Sequence, residues 1–170
     1  MSVAGSQMQV WALLWHVRTL TDQPIALGGV GLARILPIIV FSLLAGAVAD
    51  TANRRRVLFF TQSAMALVAV ALTWLTVTGR LELWHIYALT ALQASANAFD
   101  LPARQALVPN LVPARDLPNA FSMTSITFQA GSIIGPALSG LVIGQLGLQY
   151  VYWINAVSFL MLFLGLLAAL

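Results

Sequence analysis

The sequence predicts an all-α integral membrane fold, and three observations predict it. Hydrophobic residues fill 60% of the 170 positions and charged residues only 8%, whereas soluble domains carry about 25% charge. Mean hydropathy is +0.90. The apolar residues fall in runs of roughly 20, the length that crosses a bilayer core, with short polar turns between them. The charge pattern narrows the class further. Eight Arg and no Lys stand against five acids, and the arginines are scattered between apolar runs. A nucleic-acid reader would gather them on one face, so no nucleic-acid partner is expected. The chain has no Cys, which excludes disulfides, thiolate metal sites and a thiol nucleophile. No cofactor and no metal site are expected. The first cation is Arg18, so the N-terminus lacks the basic opening of a signal peptide.

The elements follow in order. The first helix is expected over 1–17, with its apolar stretch at Met8–Val17. At about 1.5 Å per residue that stretch covers half a bilayer, as an interfacial helix or the second half of a truncated span. Residues 25–49 form a span interrupted only by Arg34. Residues 57–78 hold no charge. Residues 83–99 are shorter and more polar. Residues 120–144 are uncharged and rich in Gly and Ser. Residues 148–170 stay uncharged to the end. The connectors TLTDQP (19–24), TGRLE (78–82) and QLGLQ (145–149) are tight turns. The long connector, 99–120, carries prolines at 102, 109, 113 and 118. Proline removes a backbone donor and clashes with the preceding turn, so no continuous helix is expected there. That puts Asp100 and Arg104 in a loop.

Lys and Arg in short loops mark the cytoplasmic side. Arg54, Arg55 and Arg56 follow the second helix, and Arg104 and Arg115 lie in the Pro-rich connector. Only Arg18 and Arg80 fall on the other side. Loops 50–56 and 99–120 are therefore expected in the cytoplasm of a multi-pass inner-membrane protein. Trp84 and Tyr150 would be interfacial aromatics at the outer ends.

Three motifs carry a family resemblance. Gly46-x-x-x-Asp50-x-x-x-Arg54-Arg55 resembles the G-x-x-x-D-R-x-G-R-R loop of the major facilitator superfamily, with Thr51 for the first Arg and Asn53 for the Gly. Asp50 and Arg54 are four residues apart, close enough to pair on a helix. Thr51 or Asn53 could cap the third helix. The second motif, Gly131-x-x-x-Gly135-Pro136-x-x-Ser139-Gly140, resembles the fifth-helix antiporter motif. Its residues Gly131, Gly135 and Ser139 make one small-residue face that permits close helix contact. The third is FDLPARQALVPNLVPARDLPNA with YWINAVSFL, which resembles the branch of the enterobactin exporter and macrolide-efflux-type proteins. The fourth helix's Thr90-Ala-Leu-Gln93 keeps the Gln of a family motif but has Thr for its Arg.

The resemblance implies the six-helix N-terminal bundle of a twelve-helix transporter, with the first helix truncated. It implies a latch at Gly46, Asp50, Arg54 and Arg55. It also implies alternating access around a midplane site, with efflux of small organic molecules, drug-like or siderophore. The partners it implies are the lipid bilayer, a small-molecule substrate and a missing C-terminal six-helix half, on the same chain or a second subunit. A non-transporting membrane scaffold or degenerate fragment is the alternative. An integral-membrane enzyme is the distant one, because no histidine faces Ser139 at depth. The chain is therefore not expected to be an enzyme.

The candidate cavity or coupling residues are Arg34, Gln62, Gln93, Asn97, Gln129 and Asn155, with Gln9, Trp11 and Trp15 on the first helix. An ionisable group inside a span marks a pathway or a pairing site, with snorkelling to the outer interface the alternative for Arg34, and an amide in lipid needs a partner. Helix–helix hydrogen bonds would satisfy those amides as well as a cavity. His16 and His85 fall near outer ends, where interfacial packing explains them.

Overall fold

The computed structural model describes residues 2–168, with the side chains at 2, 49, 50, 111 and 162–168 outside the description. It contains α1 (Ser2–Leu20), α2 (Pro24–Thr51), α3 (Arg54–Val77), α4 (Leu83–Leu111), a single 3-10 turn (Ala114–Asp116), α5 (Leu117–Gln145) and α6 (Leu148–Ala168). There is no strand among the described residues.

Each turn has a local cause. Pro24 opens α2, where its missing N–H costs nothing. Asn53 caps α3, its side chain accepting from the backbone N–H of Arg55 at 3.1 Å and of Arg56 at 3.4 Å. Gly79 and Gly147, with φ of 67° and 108°, reverse the chain after α3 and α5 in a conformation costly for other residues. At the start of α4, Glu82 and His85 form a reciprocal capping box.

The helices pack in the order α2–α4–α3–α6–α1–α5, and α1 also reaches α2 and α4. Met8, Ala12, Leu13 and Val17 of α1 meet Val30, Leu72, Ile86 and Tyr152 in the main core. Met65, Ala69 and Phe159 join α3 to α6. Between α2 and α4, a Cβ on Gly29 would lie 2.7 Å from the Tyr87 ring, and Phe41 meets Phe99 at 5.8 Å between centroids. The sequence offset is the same in both pairs, so the two helices keep one register along their length.

α1 runs nineteen residues, about 28 Å, near the 1–17 expected for it and well beyond its Met8–Val17 apolar stretch. Its polar start faces protein instead of lipid, so polarity does not end the helix. One expected boundary changes. α4 continues to Leu111 through Pro102 and Pro109, so the first half of the supposed connector is helix. Asp100 and Arg104 therefore belong to α4 and not to a loop. An interior proline costs about 3 kcal/mol of helix stability. An i,i+4 ion pair between Asp100 and Arg104 spans the Pro102 turn, and Ala103 is fully buried there. The chain leaves the helix only at Val112, before Pro113.

Among the described residues, three helical stretches are long and apolar enough to cross a membrane: Pro24–Val48, Arg54–Val77 and Ala114–Gln145. Buried polar groups lie on α1 (Gln9, His16) and α4 (Thr90, Asp100), on α3 (Thr61, Gln62, Thr73), and singly on α5 (Ser139) and α6 (Asn155). A helix walled by protein need not be apolar throughout.

Candidate functional site

Polar side chains gather at two levels of the bundle. The upper level is a chain of amides crossing three helices. Asn155 Nδ2 on α6 donates to Gln9 Oε1 on α1, and Gln9 Nε2 donates to Gln93 Oε1 on α4. Gln9 and Asn155 are at most 1% exposed. Each link fixes one α1 contact in a core that offers no water. The Asn155 Oδ1 and Ser158 Oγ atoms at the head of the chain lack hydrogen-bond partners among the described residues. Both face the backbone of Gly5: a Cβ there would lie 2.6 Å from Asn155 Oδ1 and 3.3 Å from Ser158 Oγ. Gly5 therefore lets α1 approach α6. Nearby, Thr90 is buried with its hydroxyl unpartnered among the described residues.

The lower level clamps α3 to α4. The Asp100 carboxylate is buried. It accepts from Thr61 Oγ1 at 2.9 Å and Gln62 Nε2 at 2.7 Å through one oxygen, and from Arg104 Nη2 at 2.9 Å through the other. Such charge-assisted bonds are the stronger kind. One turn and a half further along α4, Arg54 Nη1 donates to the Ala106 carbonyl at 2.8 Å. Asn53, Arg54, Arg55, Leu107 and Asn110 line an open cleft of about 500 Å³ there. This contact puts the α2–α3 turn and the far end of α4 at the same end of the bundle.

The small-residue motif of α5 lies against α1. A Cβ on Gly131 would come within 2.8 Å of Val3, and one on Gly135 within 2.6 Å of Gln7 Cβ. Ser139 Oγ donates to the Met8 carbonyl at 3.1 Å. Gly140 points elsewhere, with nothing within 4 Å of its Cβ position. Further along α1, His16 Nδ1 and the Tyr152 hydroxyl lie 3.3 Å apart, joining α1 to α6.

The candidates therefore separate. Gln62 and Asn155 serve helix–helix hydrogen bonds, and each keeps a buried side-chain oxygen without a partner among the described residues. Gln93 is half-buried; its oxygen is used and its nitrogen has no partner among the described residues. Asn97 is exposed. Gln129 is exposed on α5, where its carbonyl and side-chain oxygen take the Ser132 hydroxyl. Arg34 is exposed and makes no hydrogen bond or ion pair among the described residues. In the Gly46–Asp50–Arg54–Arg55 motif, Gly46 faces open space, Arg54 holds α4, and Arg55 is exposed. The Asp50 side chain, and with it the expected Asp50–Arg54 pair, lies outside the described residues. Sequence reading missed the Asp100 clamp, although Asp100 and Arg104 stand at the spacing of a helical ion pair. No group of three or more metal-ligating side chains occurs among the described residues.

Comparison with known proteins places this architecture. The profile of the transmembrane secretion effector family matches residues 1–169. The uncharacterized MFS-type transporter YfiS of Bacillus subtilis is 31% identical over 124 residues, covering 73% of this chain and 28% of that protein. The staphyloferrin A transporter of Staphylococcus aureus is 32% identical over 132 residues, 77% of this chain and 33% of that one. The multidrug efflux pump Tap of Mycolicibacterium fortuitum is 29% identical over 161 residues, 92% of this chain and 39% of that one. The chain thus spans about a third of the length of these relatives. No solved structure matches it.

Proposed function

We propose a transport function, because the chain belongs to the transmembrane secretion effector family of the major facilitator superfamily. The chain supplies one six-helix half of a secondary transporter that exports small organic molecules across the bacterial cytoplasmic membrane. Two of the relatives are named for staphyloferrin A transport and multidrug efflux, and the export reading is taken from the second.

One structural observation carries the reading. α2 and α5 flank the bundle and are long and apolar enough to span a membrane, yet only 11% and 17% of their span windows are buried, against 44% for α3. Both present whole faces that this half does not cover. A second bundle across those faces would complete a central pathway lined by α1 and α4. Alternating access then follows from rocking one bundle against the other. The two loops at the Arg54–Ala106 end lie in the cytoplasm under the arginine bias. There, Gly46, Asp50, Arg54 and Arg55 form one side of the latch between halves.

The test is ethidium accumulation in a pump-deficient bacterial strain expressing the protein at its natural length. Expression should lower accumulation, and Asp50→Asn should restore it while the membrane content of protein stays near wild type. Unchanged accumulation across a panel of drug-like dyes and siderophores would favour a non-transporting scaffold. Equal loss of protein and of activity in Asp50→Asn would reduce the motif to a topology signal.

A further inference from the structure

We propose that His16 is a proton-binding site, that its protonation releases the last turn of α1 from α6, and that this proton drives transport. The inference deepens the transport reading, and the driving role rests on it.

The protonation state comes first. His16 is 9% exposed and Tyr152 is fully buried. The Tyr152 hydroxyl has one hydrogen-bond partner among the described residues, His16 Nδ1 at 3.3 Å. A buried O–H needs an acceptor, so it donates to Nδ1. That nitrogen then carries no proton, and the ring is neutral with its N–H at Nε2. A proton arriving from water at Nδ1 turns this acceptor into a donor. The tyrosine keeps its own proton, and its O–H is left with no acceptor.

The surroundings offer the new cation no partner. Four helices pack against α1. α5 carries no titratable side chain, and the second titratable group of α6 is the exposed Tyr150. On α4, the Tyr87 hydroxyl donates to the Ala26 carbonyl, and His85 Nδ1 accepts from the Glu82 N–H. Asp100 is held by Thr61, Gln62 and Arg104. Arg34 of α2 is exposed, as are Arg18, Asp22, Arg80 and Glu82 at the turns. No acid pairs with His16 among the described residues. Leu13, Val17, Leu72 and Ile86 build the core around Tyr152. An unpaired charge in such a core is costly. Water is close by: His16 lies four residues, about 6 Å, from the end of α1 at Leu20, past exposed Arg18 and Thr19. The carbonyl end of a helix also favours a cation. The protonated ring therefore gains hydration by turning out toward that end.

The consequence is local. Beyond Gln9, the His16–Tyr152 pair is the last side-chain hydrogen bond that ties α1 to a neighbouring helix among the described residues. The Gln9 bonds hold the middle of α1, so the proton frees its last turn alone.

The test uses the natural-length protein in lipid nanodiscs. Hydrogen exchange of the Trp15–Leu20 amides is compared at pH 8 and pH 5, after correction for intrinsic chemistry. Wild type should lose at least about tenfold protection at pH 5. His16→Asn places an amide oxygen where Nδ1 was and takes no proton, so protection should match wild type at pH 8 and persist at pH 5. Tyr152→Phe should already exchange faster at pH 8. In everted vesicles with an imposed pH gradient, acid inside, wild type should accumulate ethidium and His16→Asn should lose at least about tenfold of that uptake. Equal protection of wild type at both pH values would overturn the proposal. So would a pH response surviving in His16→Asn, undiminished gradient-driven uptake by that variant, or unchanged exchange in Tyr152→Phe. Wild type that moves no ethidium while its exchange follows pH would sink the transport reading and the driving role with it.

Discussion

Replacing Gly135 by alanine should loosen the bundle, while the same change five residues on, at Gly140, should not. Both glycines belong to one sequence motif, and only their surroundings differ. A methyl on Gly135 would sit 2.6 Å from Gln7 Cβ and 3.3 Å from the Gln7 carbonyl carbon and the Met8 nitrogen. Carbon atoms prefer about 3.5–4.0 Å, so α1 and α5 must separate by about 1 Å. The obstructing atoms are backbone and a Cβ, which cannot swing aside. Overpacking of this kind costs about 1–3 kcal/mol. The separation also stretches the Ser139–Met8 hydrogen bond, now 3.1 Å, worth about another 1 kcal/mol. The expected loss is about 2–4 kcal/mol.

At Gly140 the added methyl meets nothing within 4 Å. Alanine is there the better helix former by about 1 kcal/mol, so stability should hold or rise. The assay is unfolding of the purified protein in mixed micelles, followed by circular dichroism against increasing denaturing detergent. Gly135→Ala should shift the midpoint down and Gly140→Ala should not. Equal shifts in the two variants would refute the α1–α5 contact and return the motif to generic small-residue packing.

The amide chain makes an asymmetric prediction. Gln9→Leu strands Gln93 Oε1 and Asn155 Nδ2 and should cost about 1–3 kcal/mol in the same unfolding assay. The triple replacement of Gln9, Gln93 and Asn155 by leucine leaves no orphan and should cost less than the single change. Asp100→Asn should destabilise by about 2 kcal/mol, because Gln62 and Arg104 lose a charged acceptor. A second-site Arg104→Gln should recover little, since Arg104 is partly solvated and surface pairs contribute weakly. Asn53→Ala removes the α3 cap and should cost about 1 kcal/mol. It should also raise hydrogen exchange at Arg55 and Arg56 before any other site.

The sequence marked the helices best where the environment is simplest. α2 and α5 were legible because their apolar runs are long and little interrupted. The Gly131–Gly135–Ser139 face was legible because a four-residue period states which side of a helix is small. α4 was misread past Phe99 because each proline was weighed as a local breaker. Its compensation is the pair across Pro102 and the contact of Arg54 with Ala106, 52 residues apart in the chain. The amides show the same limit. Composition says that Gln9, Gln62, Gln93 and Asn155 need partners, but not which ones. Gln62 finds Asp100 and Gln9 finds both others because the helices bring them to matching levels, and register across helices is a tertiary fact.

These polar links also divide the bundle mechanically. The amide chain ties α1 to α4 and α6, and the Asp100 group ties α4 to α3, so four helices share buried bonds between side chains. α2 and α5 are held differently. α2 has the Tyr87 hydroxyl on the Ala26 carbonyl near its start, and α5 has the Ser139 hydroxyl on α1. Neither link joins two side chains, and long stretches of both helices are exposed beyond them. α1, α3, α4 and α6 should therefore move as one body while α2 bends at Pro37, which removes a helical hydrogen bond; Pro136 of α5 lies inside the Gly135–Ser139 contact with α1. Hydrogen exchange tests the division. Amides one turn around Pro37 should exchange well before those flanking Gln9, Gln62, Gln93 and Asn155. Uniform protection along all six helices would refute it.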